Sequence, residues 1–132
     1  MARVIILDAC VLIAHLDSSD VNHERAVKVL HGLAGAPKGI SVLTRAEIFV
    51  GPTRAGRLRA ARDAVDALSV HTFELLAHAA DALAELRASS GLRMPDCCVL
   101  LTAELNGPPE IATFDRQLSV AAARRGITVH AG

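Results

Sequence analysis

Short β-branched apolar runs alternate with longer stretches of helical spacing along the whole of this 132-residue chain, and few folds accept that pattern. Val4-Ile5-Ile6-Leu7 reads as a buried strand, followed by a short apolar helix from Val11 to Leu16. Asp20 is placed to cap a second helix whose apolar stripe is Ala26, Val27, Leu30 and Leu33. A turn at Gly35 to Gly39 leads to a second strand, Ile40-Ser41-Val42, and Thr44 opens another helix. Gly51-Pro52 interrupts that helix ahead of an Arg-rich one running from Thr53 to Leu68. Val70-His71-Thr72 reads as a short strand, and Leu76, Ala79, Ala80, Leu83 and Leu86 mark the buried side of the next helix. Met94-Pro95 breaks the chain before an apolar helix from Asp96 to Leu105. Ile111 to Phe114 is a strand, Arg116 to Arg125 a helix, and Ile127-Thr128-Val129 a last strand. Such β–α alternation implies a three-layer α/β/α domain with a mainly parallel twisted sheet covered on both faces. No repeat or linker divides residues 1–132, so one domain is expected.

Four carboxylates recur at comparable places in that scheme. Asp8 follows the first strand, Glu47 lies in the first turn of the helix after the second, Asp96 starts the apolar helix, and Asp115 follows the strand that begins at Ile111. In an open parallel sheet, ligands bind beyond the carboxyl ends of the strands, where strand order reverses. Residues just past strand ends share that edge. Each acid also has a local explanation: Asp8 and Asp115 suit helix N-caps, Thr44 to Glu47 has the spacing of a capping box, and Asp96 complements a helix dipole. As a set they say more. Four like charges at one edge repel unless a cation neutralises them. Carboxylate-rich donors with few His or Cys favour Mg²⁺ or Mn²⁺. Such a centre binds phosphate oxygens, activates water and stabilises the leaving alkoxide of a phosphodiester.

Composition removes several alternatives. Fourteen basic residues balance fourteen acidic ones, which excludes a globally basic nucleic-acid coat. Sequestering four acids in a pocket would nonetheless leave a net positive surface, and twelve of the cations are Arg. With three Phe and neither Tyr nor Trp, an aromatic stacking platform for single-stranded RNA is not expected. Three cysteines, two of them adjacent at Cys97 and Cys98, suit reduced thiols and a cytoplasmic location, and no CxxC pair suggests structural zinc. The longest apolar run, Ala9 to Ala14, is far too short to span a membrane, and the first residues do not resemble a signal peptide.

Taken in order, the motifs resemble one family. They are Leu7-Asp8-Ala9-Cys10-Val11-Leu12-Ile13-Ala14 after the run Val4-Ile5-Ile6, then Asp20-Val21-Asn22-His23-Glu24-Arg25-Ala26. Ser41 to Ile48 and Gly51-Pro52 follow, then Gly91-Leu92-Arg93-Met94-Pro95-Asp96 and Ala112-Thr113-Phe114-Asp115-Arg116-Gln117-Leu118. The chain is similar over essentially its whole length to the PIN-domain nucleases, and most closely to the VapC toxins of bacterial VapBC toxin–antitoxin pairs. The resemblance implies a PIN-like α/β/α fold and hydrolysis of RNA by a metal-dependent endoribonuclease. It puts the catalytic, metal-holding quartet on Asp8, Glu47, Asp96 and Asp115, with one or two Mg²⁺ or Mn²⁺ ions held partly through water. It implies in-line attack that releases 5′-phosphate and 3′-hydroxyl ends, a VapB-type antitoxin partner and a homodimer. Thr113 matches a family position with a polar side chain near the site, and is a candidate substrate contact. One departure stands out: Ala9 and Cys10 occupy positions where the family often has Ser, Thr or Asn, so weaker support of the carboxylates is expected there.

Several Arg residues are candidates for contact with RNA. Arg54, Arg57, Arg59 and Arg62 lie close together, and Arg54, Arg57 and Arg62 are expected to share roughly one helical face, either phosphate-steering or plainly solvated. Arg93 beside Asp96 is a better phosphate-contact candidate, and Arg116 after Asp115 either does likewise or simply pairs with a nearby acid. Cys10, Cys97 and Cys98 read as small buried thiols, and His23 as local support for a helix start. Two other functions compete with the nuclease. A phosphatase or receiver-like acidic pocket lacks the second Asp of a DxD motif at Asp8-Ala9-Cys10 and a Lys after a late strand. A catalytically weak PIN-like module that binds RNA or protein is disfavoured by the presence of all four acids.

Overall fold

The structure, a computed structural model, describes residues 3–131. In chain order the elements are β1 (Ile5–Leu7), α1 (Ala9–Leu16), α2 (His23–Gly32), β2 (Lys38–Ser41), α3 (Val42–Arg54), α4 (Leu58–Ala67) and β3 (Val70–Phe73). They continue with α5 (Ala79–Ser90), α6 (Met94–Leu105), β4 (Glu110–Ala112), α7 (Arg116–Arg124) and β5 (Thr128–His130). The five strands pair in the order β3-β2-β1-β4-β5, every pair parallel. Ile5 lies between Lys38 of β2 and Glu110 of β4, and Leu7 is level with Ala112. The chain builds outward from β1 to β3, crosses back, and continues through β4 and β5, so strand order reverses between β1 and β4.

The period-2 alternation of the strands divides the core in two. Ile6 and Ile111 face α5, α6 and α7, while Ile5, Leu7, Ile40 and Ala112 face the other way, towards α1, α2, α3 and α4. These are the three expected layers. Helix α6 is buried without interruption from Asp96 to Ala103, because it packs on β1, β2, β4, α3 and α5 together. Its burial carries Asp96 into the interior with it. No described helix is long and apolar enough to cross a membrane.

Several local boundaries differ from those expected. The second strand begins at Lys38, inside the expected turn, where Lys38 is buried and its Nζ donates to the carbonyls of Leu33 and Ala36 at 3.2 and 3.0 Å. Gly39 is required there, since a Cβ would collide with the Phe73 ring of the neighbouring strand. Val42 starts α3 rather than ending β2, and Ser41 is the N-cap, its hydroxyl accepting from the Thr44 amide at 3.2 Å. Helix α3 also runs through Pro52 and stops at Arg54, with Gly56 in the left-handed region at φ 69°. Pro52 sits so near the C-terminus that its missing N–H costs one bond of the final turn only. Met94 and Pro95 are likewise the first two residues of α6, where proline is well tolerated. Asp20 closes a turn by accepting from the Asn22 amide at 2.8 Å, and Asn22 takes the cap position of α2.

Candidate metal centre

The edge where strand order reverses is built from two adjacent chain segments. Asp8 leaves β1 and caps α1, its Oδ1 accepting from the Ala9 amide at 2.8 Å. Asp115 lies three residues beyond β4 and caps α7, its Oδ1 accepting from the Leu118 amide at 3.0 Å. Thr113 joins the two. Its hydroxyl donates to Asp8 Oδ2 at 2.6 Å and accepts from the Asp115 amide at 3.0 Å. Thr113 is 0% exposed, so it holds the acids in place and does not face a substrate.

Cys10 performs the service expected of a hydroxyl at that position. Its thiol donates to Asp8 Oδ2 at 3.3 Å, and its sulfur accepts from the Phe114 amide at 3.4 Å. Burial, with the charge of Asp8, pushes this thiol up to about 11, so it stays protonated and unreactive at neutral pH. The support expected to be weakened by Ala9 and Cys10 is thus supplied by a thiol and by Thr113. Sequence reasoning missed this role. Its only signal is position, since a residue two after a helix N-cap sits in the first turn beside the capping carboxylate. Cys97 and Cys98 are core residues, 0% and 2% exposed.

Glu47 and Asp96 approach from the two helical layers. With Ser41 as N-cap, Glu47 falls in the second turn of α3 and not at the third helical position, so the capping-box explanation does not apply to it. Asp96 is in the first turn of α6, as expected, and only 8% exposed. Burial raises the Glu47 carboxyl above the ordinary range, and the charges of Asp8 and Asp96 raise it further while Arg93 opposes them. Burial also raises Asp96, with Asp8 and Asp115 adding to it and Arg93 again opposing. The four acids therefore act on one another electrostatically across the reversal point. Arg93 Nε approaches Asp96 Oδ2 to only 3.9 Å and is itself mostly exposed, too loose an ion pair to discharge the cluster.

Among the described residues, no three His, Cys, Asp or Glu side chains enclose an ion by themselves. The donors nonetheless fit a hard divalent cation, because they are carboxylate oxygens and the charges of neighbouring acids add to the burial that raises Glu47 and Asp96. Mg²⁺ keeps several waters and needs one or two protein carboxylates, so a full protein cage is not required.

The remaining candidates divide by position. Arg116 is the first residue of α7, exposed next to Asp115. Arg54 ends α3 whereas Arg57 is the cap position of α4, so the expected common helical face with Arg62 does not exist. Both are exposed. His23 ties α2 to α1 through Nδ1 and the Ala14 carbonyl, 2.8 Å apart.

The profile of the family described as PIN domain matches residues 5–124. No curated protein sequence matches the chain. Among solved structures, a toxin–antitoxin complex from Klebsiella pneumoniae is 25% identical with a TM-score of 0.66, over 84% of this chain and 86% of that one. VapC20 of Mycobacterium tuberculosis, a sarcin–ricin-loop-cleaving toxin, is 17% identical with a TM-score of 0.73, over 89% of this chain and 94% of its own. VapBC2 from Rickettsia felis, bound to a DNA fragment from their promoter, is 14% identical with a TM-score of 0.70, over 97% of this chain and 98% of that one.

Proposed function

Since the chain belongs to the PIN-domain family, we propose that it is a VapC-like toxin, a metal-dependent endoribonuclease of one domain over residues 1–132. The observation that carries this reading is the edge at the β1/β4 reversal, where Asp8, Glu47, Asp96 and Asp115 interact without a cation strong enough to neutralise them. Titratable groups perturbed by burial and by neighbouring charges, as Glu47 and Asp96 are, mark candidates for a functional site. Their repulsion is a cost that ion binding removes.

Asp8 and Asp115 are fixed before any ligand arrives, because Thr113 bonds to one side chain and to the backbone of the other. Each oxygen of a carboxylate has two lone pairs, so an oxygen that accepts one protein hydrogen bond still has capacity for an ion. Asp96 and Glu47 complete the set from α6 and α3. One or two Mg²⁺ or Mn²⁺ ions would supply water activation and charge neutralisation on a scissile phosphodiester. Arg93, mostly exposed beside Asp96, would hold a non-bridging phosphate oxygen. In-line hydrolysis at this edge leaves a 5′-phosphate and a 3′-hydroxyl.

The same reading gives the protein a VapB-type antitoxin as partner, in keeping with the toxin–antitoxin complexes it resembles in fold. Exposed Ile13, Val21 and Val27, on α1, the turn after it and α2, supply apolar surface for a homodimer. Reduced cysteines suit the cytoplasm. The test is cleavage of total RNA with Mg²⁺ or Mn²⁺, with EDTA, and by Asp8→Ala, with the ends of the products mapped. Cleavage is expected only from the wild type with metal. Undiminished cleavage in chelator by purified protein sinks the reading.

A further inference from the structure

A second feature lies beside the acids, outside the catalytic set. A cleft of about 370 Å³ separates α7 from the loop joining α5 to α6. Arg116 and Arg124 stand along it in the first and third turns of α7, with Gln117, Val120 and Ala121 between them and Leu92 opposite. Residues four and eight apart share a helical face, which is why both cations open into the same cleft. Among the described residues, no carboxylate lines it. Among the described residues neither arginine is ion-paired, whereas the next residue, Arg125, is fastened to Glu104 by three hydrogen bonds of 2.9–3.1 Å. Gln117 is exposed, with no hydrogen-bonded partner for its amide among the described residues. Both walls continue into the acidic centre, since Asp115 directly precedes Arg116 and Leu92 directly precedes Arg93.

We propose that this cleft is a nucleotide subsite for single-stranded RNA on one flank of the acidic centre. Arg116 and Arg124 take two phosphates of one strand, Val120, Ala121 and Leu92 form an apolar seat for a base, and the Gln117 amide reads its edge. The inference rests on the nuclease reading for its ligand, and the geometry gives the ligand a direction. At 1.5 Å per residue, Arg124 is about 13 Å along the helix axis from Asp115, so the strand leaves the centre along α7. Stacking on an aromatic is replaced here by an apolar floor and paired guanidinium groups, consistent with a chain that has no Tyr or Trp.

The experiment measures binding and not turnover, so that its failure is separable from that of the nuclease reading. A labelled, short single-stranded RNA is titrated with the full chain, with Ca²⁺ replacing Mg²⁺ and RNA integrity checked on a gel. Arg116→Gln combined with Arg124→Gln should weaken binding about 10-fold or more and reduce the salt slope by about 1.4, at ~0.7 per phosphate contact on a single strand. Arg54→Gln combined with Arg57→Gln, at the end of α3 and the cap of α4, should have a smaller effect. A 4-thiouridine in the strand should crosslink to the tryptic peptide Gln117–Arg124. Unchanged affinity for the first pair, equal losses for both pairs, or crosslinks confined to other peptides overturns the subsite, including the case where the cleft proves to hold an acidic protein segment. RNA bound through Arg116 and Arg124 but left intact with Mg²⁺ would defeat the nuclease reading and spare the subsite.

Discussion

Two regions of the sheet carry buried carboxylates, and they treat them in opposite ways. At the start of β4, Glu110 receives two hydrogen bonds from Arg3, at 2.6 and 3.0 Å, and lies 3.0 Å from His130 Nε2. The Arg3 hydrogen bonds, with a smaller contribution from His130, hold its carboxyl below the ordinary range. At the reversal point between β1 and β4, Glu47 and Asp96 are pushed above that range by burial and by their neighbours' charges. One cluster is electrostatically closed and the other is left unsatisfied. A fold that satisfies Glu110 so fully has the means to neutralise acids. The acids left unneutralised at the strand-reversal edge are the ones whose charge the proposed metal would offset.

The contrast breaks most sharply through activity. Asp8→Ala or Glu47→Gln should lower RNA cleavage by at least ~100-fold while circular dichroism shows the fold intact, and EDTA should do the same to the wild type. Wild-type turnover by Glu47→Gln would withdraw Glu47 from the set. Thr113→Val should cost about 10–100-fold, because Asp8 and Asp115 lose their shared hydrogen-bonding hydroxyl, and Thr113→Ser should restore most of it. Glu110→Gln should leave turnover unchanged and lower the melting temperature. Loss of turnover there would mean that the two clusters are coupled.

The two regions should also respond to pH with opposite sign. Asp96 and Glu47 bind protons more tightly in the folded chain than in the unfolded one. They therefore subtract stability as pH rises through the interval between ordinary and raised carboxyl values. Glu110 binds protons less tightly when folded, so its contribution is present above the ordinary carboxyl range and is lost as pH falls through its lowered value. Asp96→Asn should flatten the first dependence and Glu110→Gln the second, in thermal melts of metal-free protein across mildly acidic pH. The smallest effect is the melting temperature of Asp96→Asn at neutral pH. It should rise slightly, because relief of repulsion exceeds a helix-dipole contribution of about 0.3–1 kcal/mol. A fall would mean that the dipole dominates at that position.

How far the chain could be read from its residues depended on the range of the interactions involved. Helix α6 was legible because its composition and the Pro before Asp96 are local signals, and the β–α alternation sufficed for three layers and a parallel sheet. Local signals misled where two neighbouring residues competed for one role. Ser41 outcompetes Thr44 as the cap of α3 because the strand already ends there, with Val42 turned outward at 50% exposure. That shift moved Glu47 into the second turn. Likewise Pro52 marks a stop, but only the course of the last turn shows that the helix survives it.

The order of residues along the chain determined which acids are present and that each lies just past a strand or near a helix start. Periodicity and capping preferences act over a few positions, and the sequence displays them directly. Only the tertiary structure decided that Thr113 reaches Asp8 across 105 positions, that Cys10 stands in for a hydroxyl, and that Arg116 and Arg124 face a cleft without acids. Those outcomes depend on which strands become neighbours. Pairing of β1 with β4 is a contact between distant segments, fixed by burial of Ile6 and Ile111 on one face and of Leu7 and Ala112 on the other.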